Sequence, residues 1–240
     1  MGILKIAPLT VQATSMGLIE ENVAGIGVRW HDAWGDASKE VFSNNTPASV
    51  FTATLVGTTP TFVPSATAGQ LYTITTAATE YSGVNGQVTG EPFILTSGKP
   101  LKVYGKFALS DATQSDFLFG ICETLTALLN DSSSHAIASS NVEGIFFCKL
   151  DGATDITSNC YKDGASTGSS TVGTMDTSAH VYEINWDGAK ASCYFDGGLV
   201  ATFSSGLPDG DLTLSFCVRA GEAAAKTFTI YNGLSAIQAR

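Results

Sequence analysis

Two carboxylates near the carboxyl end of the chain are the candidates for acid–base chemistry. Glu183 and Asp187 are four residues apart on one face of a predicted strand, with Asn185 between them. Hydrolysis of a glycosidic bond needs two carboxyl groups about 5–9 Å apart, whereas residues four apart on a strand are separated by about 13 Å. Asp187 also precedes Gly188 in a pair typical of a hairpin turn. The spacing therefore favours a structural role for both acids, and we assign no catalytic residue.

Neither the histidines nor the glycines suggest a further catalytic or cofactor site. We expect His31, His135 and His180 to be exposed or to cap the ends of strands. Residues 83–86 read Gly-Val-Asn-Gly, which lacks the spacing of a phosphate-binding loop and indicates a turn. We therefore predict that no organic cofactor binds.

Acidic and amide side chains recur about every four residues in one stretch, as calcium ligands do. This set comprises Asp151, Asp155, Asn159 and Asp163. Calcium is bound by such oxygen ligands in loops, but the spacing matches no known calcium-binding loop. Because Asp and Asn also hydrogen-bond their own backbone in turns, we predict no metal site here.

The five cysteines are spaced too widely for a zinc site, in which close pairs are separated by two to four residues. They are Cys122, Cys148, Cys160, Cys193 and Cys217. We expect small buried side chains at these positions.

The candidate partner contacts lie at the start of the chain. Residues 1–24 contain little that must be buried, so we predict an extended arm. Its residues 4–11 could add a strand to the edge of a neighbouring sheet. Two tryptophans follow the arm, and they could line a protein contact or, with Tyr81, stack on sugars. The predicted contact residues are Leu4, Ile6, Leu9, Val11, Trp30 and Trp34.

Strands must position any such site, because apolar and polar residues alternate through most of the chain. Tyr182, Ile184 and Trp186 fall on one face of such a segment, and Asp-Gly turns follow it. Alternation predicts strands over residues 101–109, 180–187, 190–196, 199–203 and 212–219, and a final strand from Phe228. Shorter apolar runs predict strands over residues 49–55, 70–75, 93–95, 117–122 and 144–150. We expect a short strand and a loop within residues 158–176, and no substantial helix.

Composition narrows the class of protein. The 240 residues contain 12 basic and 22 acidic side chains, a formal net charge of -10, and only 14% are charged, against about 25% in typical domains. The acidic balance disfavours nucleic acid as a partner, and no apolar stretch is long enough for a membrane span. Regular strands and turns predict an all-β fold, a two-sheet antiparallel sandwich formed by residues 25–240 as one domain.

Two stretches resemble a known superfamily. Residues 180–188 (HVYEINWDG) and 193–201 (CYFDGGLVA) resemble concanavalin A-like jelly rolls. Residues 101–120 and 207–240, above all the run RAGEAAAKTFTI, resemble the bacteriophage members of that superfamily. The resemblance covers residues 68–240. It implies a jelly-roll sandwich and a role as a virion component on the outside of the capsid or tail.

The resemblance leads to a functional expectation. We expect a non-enzymatic decoration protein that stabilises the outer surface of a phage head, made in the host cytoplasm. Its partners would be the major capsid protein and neighbouring copies of itself, with a trimer as one arrangement. The alternative is a carbohydrate- or receptor-binding module on the head or a tail fibre, whose ligand would be a host-surface glycan.

Overall fold

The alternation of apolar and polar residues produces an entirely β architecture in the part of the chain that the structure describes. A computed structural model describes residues 38–41, for which the backbone alone is considered, and residues 50–57, 59–130, 135–138 and 142–239. The predicted arm, the boundary at residue 24 and the six predicted contact residues lie outside these ranges. No helix in the described ranges could cross a membrane.

Sixteen strands form within the described ranges. They are β1 (Ser38–Val41), β2 (Phe51–Val56), β3 (Thr61–Pro64), β4 (Gln70–Thr75), β5 (Gly83–Val88), β6 (Leu101–Leu109), β7 (Ser115–Cys122), β8 (Gly144–Lys149), β9 (Asp155–Lys162), β10 (Ala165–Thr174), β11 (His180–Trp186), β12 (Ala191–Phe195), β13 (Gly198–Phe203), β14 (Thr213–Ala220), β15 (Thr227–Tyr231) and β16 (Ser235–Gln238).

The strands form two antiparallel sheets. Sheet A has the order β13-β12-β11-β6-β15-β4-β3, and β16 pairs with β6 and carries β1 on its other side. Sheet B has the order β10-β9-β8-β7-β14-β5-β2. The predicted all-β, two-sheet antiparallel sandwich is confirmed.

The core between the sheets is rich in aromatic side chains. Tyr182 of β11 lies 5.1 Å from Phe117 and 5.2 Å from Phe147, measured between ring centroids, and both phenylalanines belong to sheet B. Phe107 of β6 contacts the same group, with its ring 4.7 Å from Phe119. These side chains are at most 2% exposed. Because burying one such side chain contributes about 1.5–3 kcal/mol, this cluster fixes how the sheets face each other.

A second apolar cluster covers the outer face of sheet B. Residues 123–130 and 135–138, which we call the cover, lie on this face. Leu128 and Leu129 of the cover are fully buried and belong to one cluster with Leu118, Phe146 and Cys217 of the sheet. Sheet B is therefore buried on both faces along its central strands, since every residue of β7, β8 and β14 is buried.

Side chains of β5 fasten the cover to the sheet. Gln87 accepts a bond from the Leu125 amide at 2.9 Å and donates to the carbonyl of Glu123 at 2.9 Å. Asn85 donates to the Leu125 carbonyl at 2.8 Å. The cover has no regular secondary structure, so its main-chain groups need other hydrogen-bond partners when they are buried. Asn85 and Gln87 supply three such hydrogen bonds.

Most alternating segments form the predicted strands, but some predictions are wrong. Residues 83–86 belong to β5, a central strand rather than a turn. Residues 158–176 contribute to two long strands, β9 and β10. Residues 93–95 contribute an isolated bridge between Phe93 and Leu212, and the last strand is β16.

Close packing explains why glycine occupies positions 83 and 86, where the sequence predicted a turn. A Cβ at Gly83 would lie 1.9 Å from the carbonyl oxygen of Val218, and one at Gly86 would lie 2.2 Å from the Phe216 ring. Both glycines are therefore required by close packing against β14, and neither makes β5 turn.

Candidate functional site

Glu183 and Asp187, the two carboxylates for which the sequence favours a structural role, are both engaged in structural contacts. Glu183 forms an ion pair with Lys102 at 3.1 Å and accepts a bond from the Asn185 amide at 2.6 Å. Asp187 accepts bonds from the backbone amides of Ala189 and Lys190, each at 2.9 Å. These amides lower the pKa of Asp187 below its usual value. A carboxylate held in its charged form suits a hairpin turn, not a general acid.

A serine motif typical of hydrolase nucleophiles is also present. Residues 164–168 read Gly-Ala-Ser-Thr-Gly, the Gly-x-Ser-x-Gly pattern that forms a strand-to-helix turn in hydrolases. Here the motif lies at the hairpin between β9 and β10, and Ser166 is an exposed residue paired with Tyr161. The local structure that activates such a serine is therefore replaced by a strand.

His135 lies within a charged cluster. Its Nδ1 is 2.7 Å from Asp116 Oδ2, and its Nε2 is 3.3 Å from Glu80 Oε1 and 3.9 Å from Asp151 Oδ2. Tyr81 packs on the imidazole, with the ring centroids 4.5 Å apart. The side chains of His135 and His180 are 11% and 12% exposed, so neither histidine is an exposed one as expected.

The cluster shifts the acidity of its members. Burial lowers the pKa of His135, but the hydrogen bond and charge of Asp116, with Glu80 and Asp151, outweigh burial and leave this pKa raised. Burial raises the pKa of Asp151. Desolvation, with the adjacent Glu80, raises the pKa of Tyr81 to about 12. Both imidazole nitrogens face carboxylates, so the protonated ring joins the cover to three other segments.

A second histidine also bridges two carboxylates. His180 Nδ1 is 2.8 Å from Asp196 Oδ2, and Nε2 is 3.1 Å from Asp176 Oδ1. Its ring stacks on Phe195 with the centroids 5.0 Å apart. Because Asp196 and Asp176 are 46% and 65% exposed, this cluster belongs to the surface.

Three carboxylates converge at one end of sheet B. Oxygen atoms of Glu143, Asp163 and Asp209 lie within 4.8 Å of one another, a donor set suited to calcium or magnesium. Glu143 accepts bonds from the Asp209 amide at 2.6 Å and the Gly210 amide at 3.3 Å. The ammonium of Lys162 forms an ion pair with Asp209. These partners account for Glu143 and Asp209, and we assign the cluster no metal.

The outer face of sheet A is a broad surface in the described part of the chain. In register across β16, β6, β11, β12 and β13, one row of this face comprises Ser235, Tyr104, Glu183, Tyr194 and Leu199. A second row across β6, β15, β4 and β3 comprises Ala108, Thr229, Thr73 and Val63. A third comprises Thr227, Thr75 and Thr61.

This face is aromatic and rich in hydroxyl groups, and it carries few charges. The charged side chains that β6, β11 and β15 place on it are Lys102, Lys106 and Glu183, and Lys102 is paired with Glu183. The Lys106 ammonium lies 5.1 Å from the centroid of the Tyr231 ring. Beside that ring is an open groove of about 240 Å³, lined by Ala108, Leu109, Ser110, Thr177, Thr227, Thr229 and Tyr231.

Some of these features could have been found from the sequence. The outward residues of the alternating strands already identify Tyr104, Tyr194 and Tyr231. The His135 cluster and Glu143 were missed because their partners come from distant segments, and no spacing pattern links them. The predicted contacts Leu4, Ile6, Leu9, Val11, Trp30 and Trp34 are outside the described residues, so they stay predictions.

Comparisons with known proteins address the fold. No protein-family model and no curated protein matches this sequence. The metal-free carbohydrate recognition domain of Emp46p is similar in structure, with a TM-score of 0.51 and 10% identity over 79% of this chain and 88% of that chain. A β-glucanase from Bacillus licheniformis is also similar, with a TM-score of 0.54 and 14% identity over 85% of this chain and 97% of that chain. For the Crh5 transglycosylase in complex with NAG, the TM-score is 0.51 and the identity is 15%, over 85% of this chain and 84% of that chain.

These similarities concern architecture. Their sequence identities, 10–15%, carry no activity over to this chain. Lectin-like and glycosidase-like members both share the fold. The described part of the chain is therefore a jelly-roll sandwich of the concanavalin A-like lectin and glucanase type, as predicted.

Proposed function

We propose that this chain is a non-enzymatic decoration protein of a bacteriophage head, which binds the outer surface of the shell through the outer face of sheet A. The observation that carries the proposal is the character of that face, which is broad and weakly charged and exposes Leu199 and Val63. Tyrosines and threonines can lie against other protein with little charge desolvation.

Two further observations support this role. The runs at residues 101–120 and 207–240 resemble phage virion proteins. The carboxylates and the serine motif that could indicate hydrolysis are held in turns, ion pairs and a strand hairpin. The protein would contribute contact area to the shell, and many copies in a symmetric lattice would compensate for a modest affinity per copy.

The partners would be the major capsid protein and neighbouring copies of this chain, on particles assembled in the host cytoplasm. The predicted arm, with Leu4, Ile6, Leu9 and Val11, would supply a second contact by strand addition. Trp30 and Trp34 would belong to the same contact region.

Binding to heads that lack their decoration protein tests the proposal. We expect Ser192→Glu, on the outer face of sheet A, to lower the fraction that cosediments with heads at least about tenfold, because it buries a charge at the contact. Thr171→Glu on β10 introduces the same charge on another strand and should bind as the wild type does. Equal binding by both variants, or a wild type that does not bind heads, would contradict the proposal.

A carbohydrate-binding role is the second candidate, and the tyrosines of sheet A favour it. Tyr194 and Tyr231 offer ring faces beside hydroxyl and amide groups, the combination on which sugars stack and hydrogen-bond. Among similar structures are carbohydrate recognition domains, those of Emp46p and Emp47p. A glycan array with the wild type and Tyr194→Ala distinguishes the candidates. Specific glycan signals lost in the variant would favour this role over shell binding.

A further inference from the structure

The edges of the two sheets differ in how they are protected against pairing with another chain. Exposed edge strands offer free amide and carbonyl groups, and proteins block them with charges, proline or bulges. In the described part of the chain, sheet A ends at β13, at β3 and, through β16, at β1. Sheet B ends at β10 and β2.

Four of these five edges carry a protective feature. The pairing of β10 with β9 has register shifts at two places, between Ser166 and Gly168 and between Thr171 and Gly173. The pairing of β13 with β12 shifts once. Strand β3 has four residues and ends at Pro64, and β1 contains a lysine and a glutamate.

Strand β2 lacks all of these features. Its six residues pair with β5 in an unbroken register, without proline or charge, and β5 is the one strand of the described residues with which β2 pairs. Thr52 and Ala53 are exposed, and Leu55 is 54% exposed. A regular, uncharged edge with an exposed leucine is a template for another strand.

The charge distribution indicates what that strand is. Residues 41–79 contain no Asp, Glu, Lys, Arg or His. The whole chain is 14% charged, so about five charged residues would be expected in a stretch of 39 residues. Two copies of a chain with a net charge of -10 repel each other, so they can approach most easily where neither carries charge.

We infer that β2 is the homodimer interface of this chain, pairing antiparallel with β2 of a second copy across a two-fold axis. Such an interface is self-complementary and closes after two subunits. An axis at Thr54 places Leu55 opposite Ala53 of the second copy and keeps the inner faces of both sheets on the same side. The two copies of sheet B then form one continuous sheet. The inference does not depend on the proposed function.

Sedimentation velocity of the full chain tests the inference. A six-residue strand pair is a small interface, so we expect a reversible monomer–dimer equilibrium with a dissociation constant on the order of 10 µM. Leu55→Lys should raise that constant at least about tenfold, because lysine is a residue that blocks edge pairing. Leu199→Lys is the matched control, since Leu199 is 59% exposed on another edge strand, β13, and it should leave the constant unchanged.

Hydrogen exchange separates strand pairing from packing of one face on another. Amides of β2 should become more protected as the concentration rises from about 1 to 200 µM, while those of β10 should not. Circular dichroism verifies that both leucine variants fold. A wild type that stays monomeric at 200 µM overturns the inference. Equal weakening by the two leucine variants, a dimer insensitive to Leu55→Lys, or concentration-dependent protection elsewhere but not in β2 would also overturn it.

Discussion

Replacing His135 tests the charged cluster that anchors the cover. We choose His135→Asn, because the residue has a φ of 37° and Asn tolerates this left-handed conformation better than most residues do. The variant removes the imidazole that lies 2.7 Å from Asp116 and faces Glu80 and Asp151. Asp116, whose side chain is 1% exposed, then retains the Asp151 amide as a partner.

The expected loss in the free energy of unfolding follows from the contact of His135 with Asp116, the most buried of the three carboxylates. A hydrogen bond to a charged group contributes about 1.5–3 kcal/mol when its partner is buried. The exposed Glu80 adds little, because solvent screens it. We therefore expect a loss of about 2 kcal/mol in the free energy of unfolding at pH 6, equivalent to about 4–8 °C in Tm for a chain of this size.

The destabilisation caused by His135→Asn should depend on pH. The folded-state pKa of His135 is raised, so the protonated ring stabilises the fold fully below the unfolded value of about 6.5. This contribution is lost as the pH rises through the raised folded-state pKa. Above it, a neutral imidazole still donates to Asp116, and a bond between such groups contributes about 1 kcal/mol. The difference between wild type and variant should therefore shrink by about half at alkaline pH.

Urea unfolding between pH 5.5 and 9 measures this difference. His180→Asn is the control, because the carboxylates around His180 are 46% and 65% exposed and such pairs contribute at most about 1 kcal/mol. A His135→Asn effect that does not change with pH, or that grows as the pH rises, would refute the reasoning. So would a larger loss from His180→Asn.

Three further substitutions test other buried contacts by urea unfolding. The Lys226 ammonium, 2.6 Å from an Asp111 carboxylate oxygen, lowers the pKa of Asp111 to about 2. Lys226→Met should cost about 1–2 kcal/mol at pH 7, and this difference from the wild type should shrink as the pH falls from about 4 toward 2. In the described part of the chain, the guanidinium of the fully buried Arg219 has no hydrogen-bonded oxygen partner, so Arg219→Met should stabilise by about 1–3 kcal/mol. A loss would mean that Arg219 pairs in solution with Asp116, its neighbour across the strand pair. Gly120→Ala should cost about 3 kcal/mol, since its Cβ would lie 2.2 Å from the Ile145 carbonyl oxygen.

Strands with one face on the core were predictable because their side chains alternate. The segment from Tyr182 to Trp186 is an example, and its Asp-Gly turn lies where the sequence places it. Strands β5 and β10 were not predictable in this way. Gly168 and Gly173 of β10 pack against the rings of Phe203 and Phe195, so small residues there reflect close approach and not a loop.

The features of the candidate site likewise differ in whether the sequence could predict them. The outward tyrosines of sheet A follow from alternation alone, because every second residue of a half-buried strand faces solvent. The His135 cluster depends instead on the tertiary fold, which brings Glu80, Asp116 and Asp151 together from three separate segments. Glu143, likewise, joins Asp163 and Asp209 only through the packing of their loops.

The burial of sheet B determines where binding can take place in the described part of the chain. A sandwich has two outward faces, and here the cover occupies the central strands of one of them with Leu128, Leu129 and their apolar partners. Binding on that face would require displacing the cover, which would expose this cluster and break the bonds that Asn85 and Gln87 make to its main chain. Among the described residues, no comparable apolar cluster lies on the outer face of sheet A. A partner that meets the folded protein as a rigid body should therefore bind sheet A or an open strand edge.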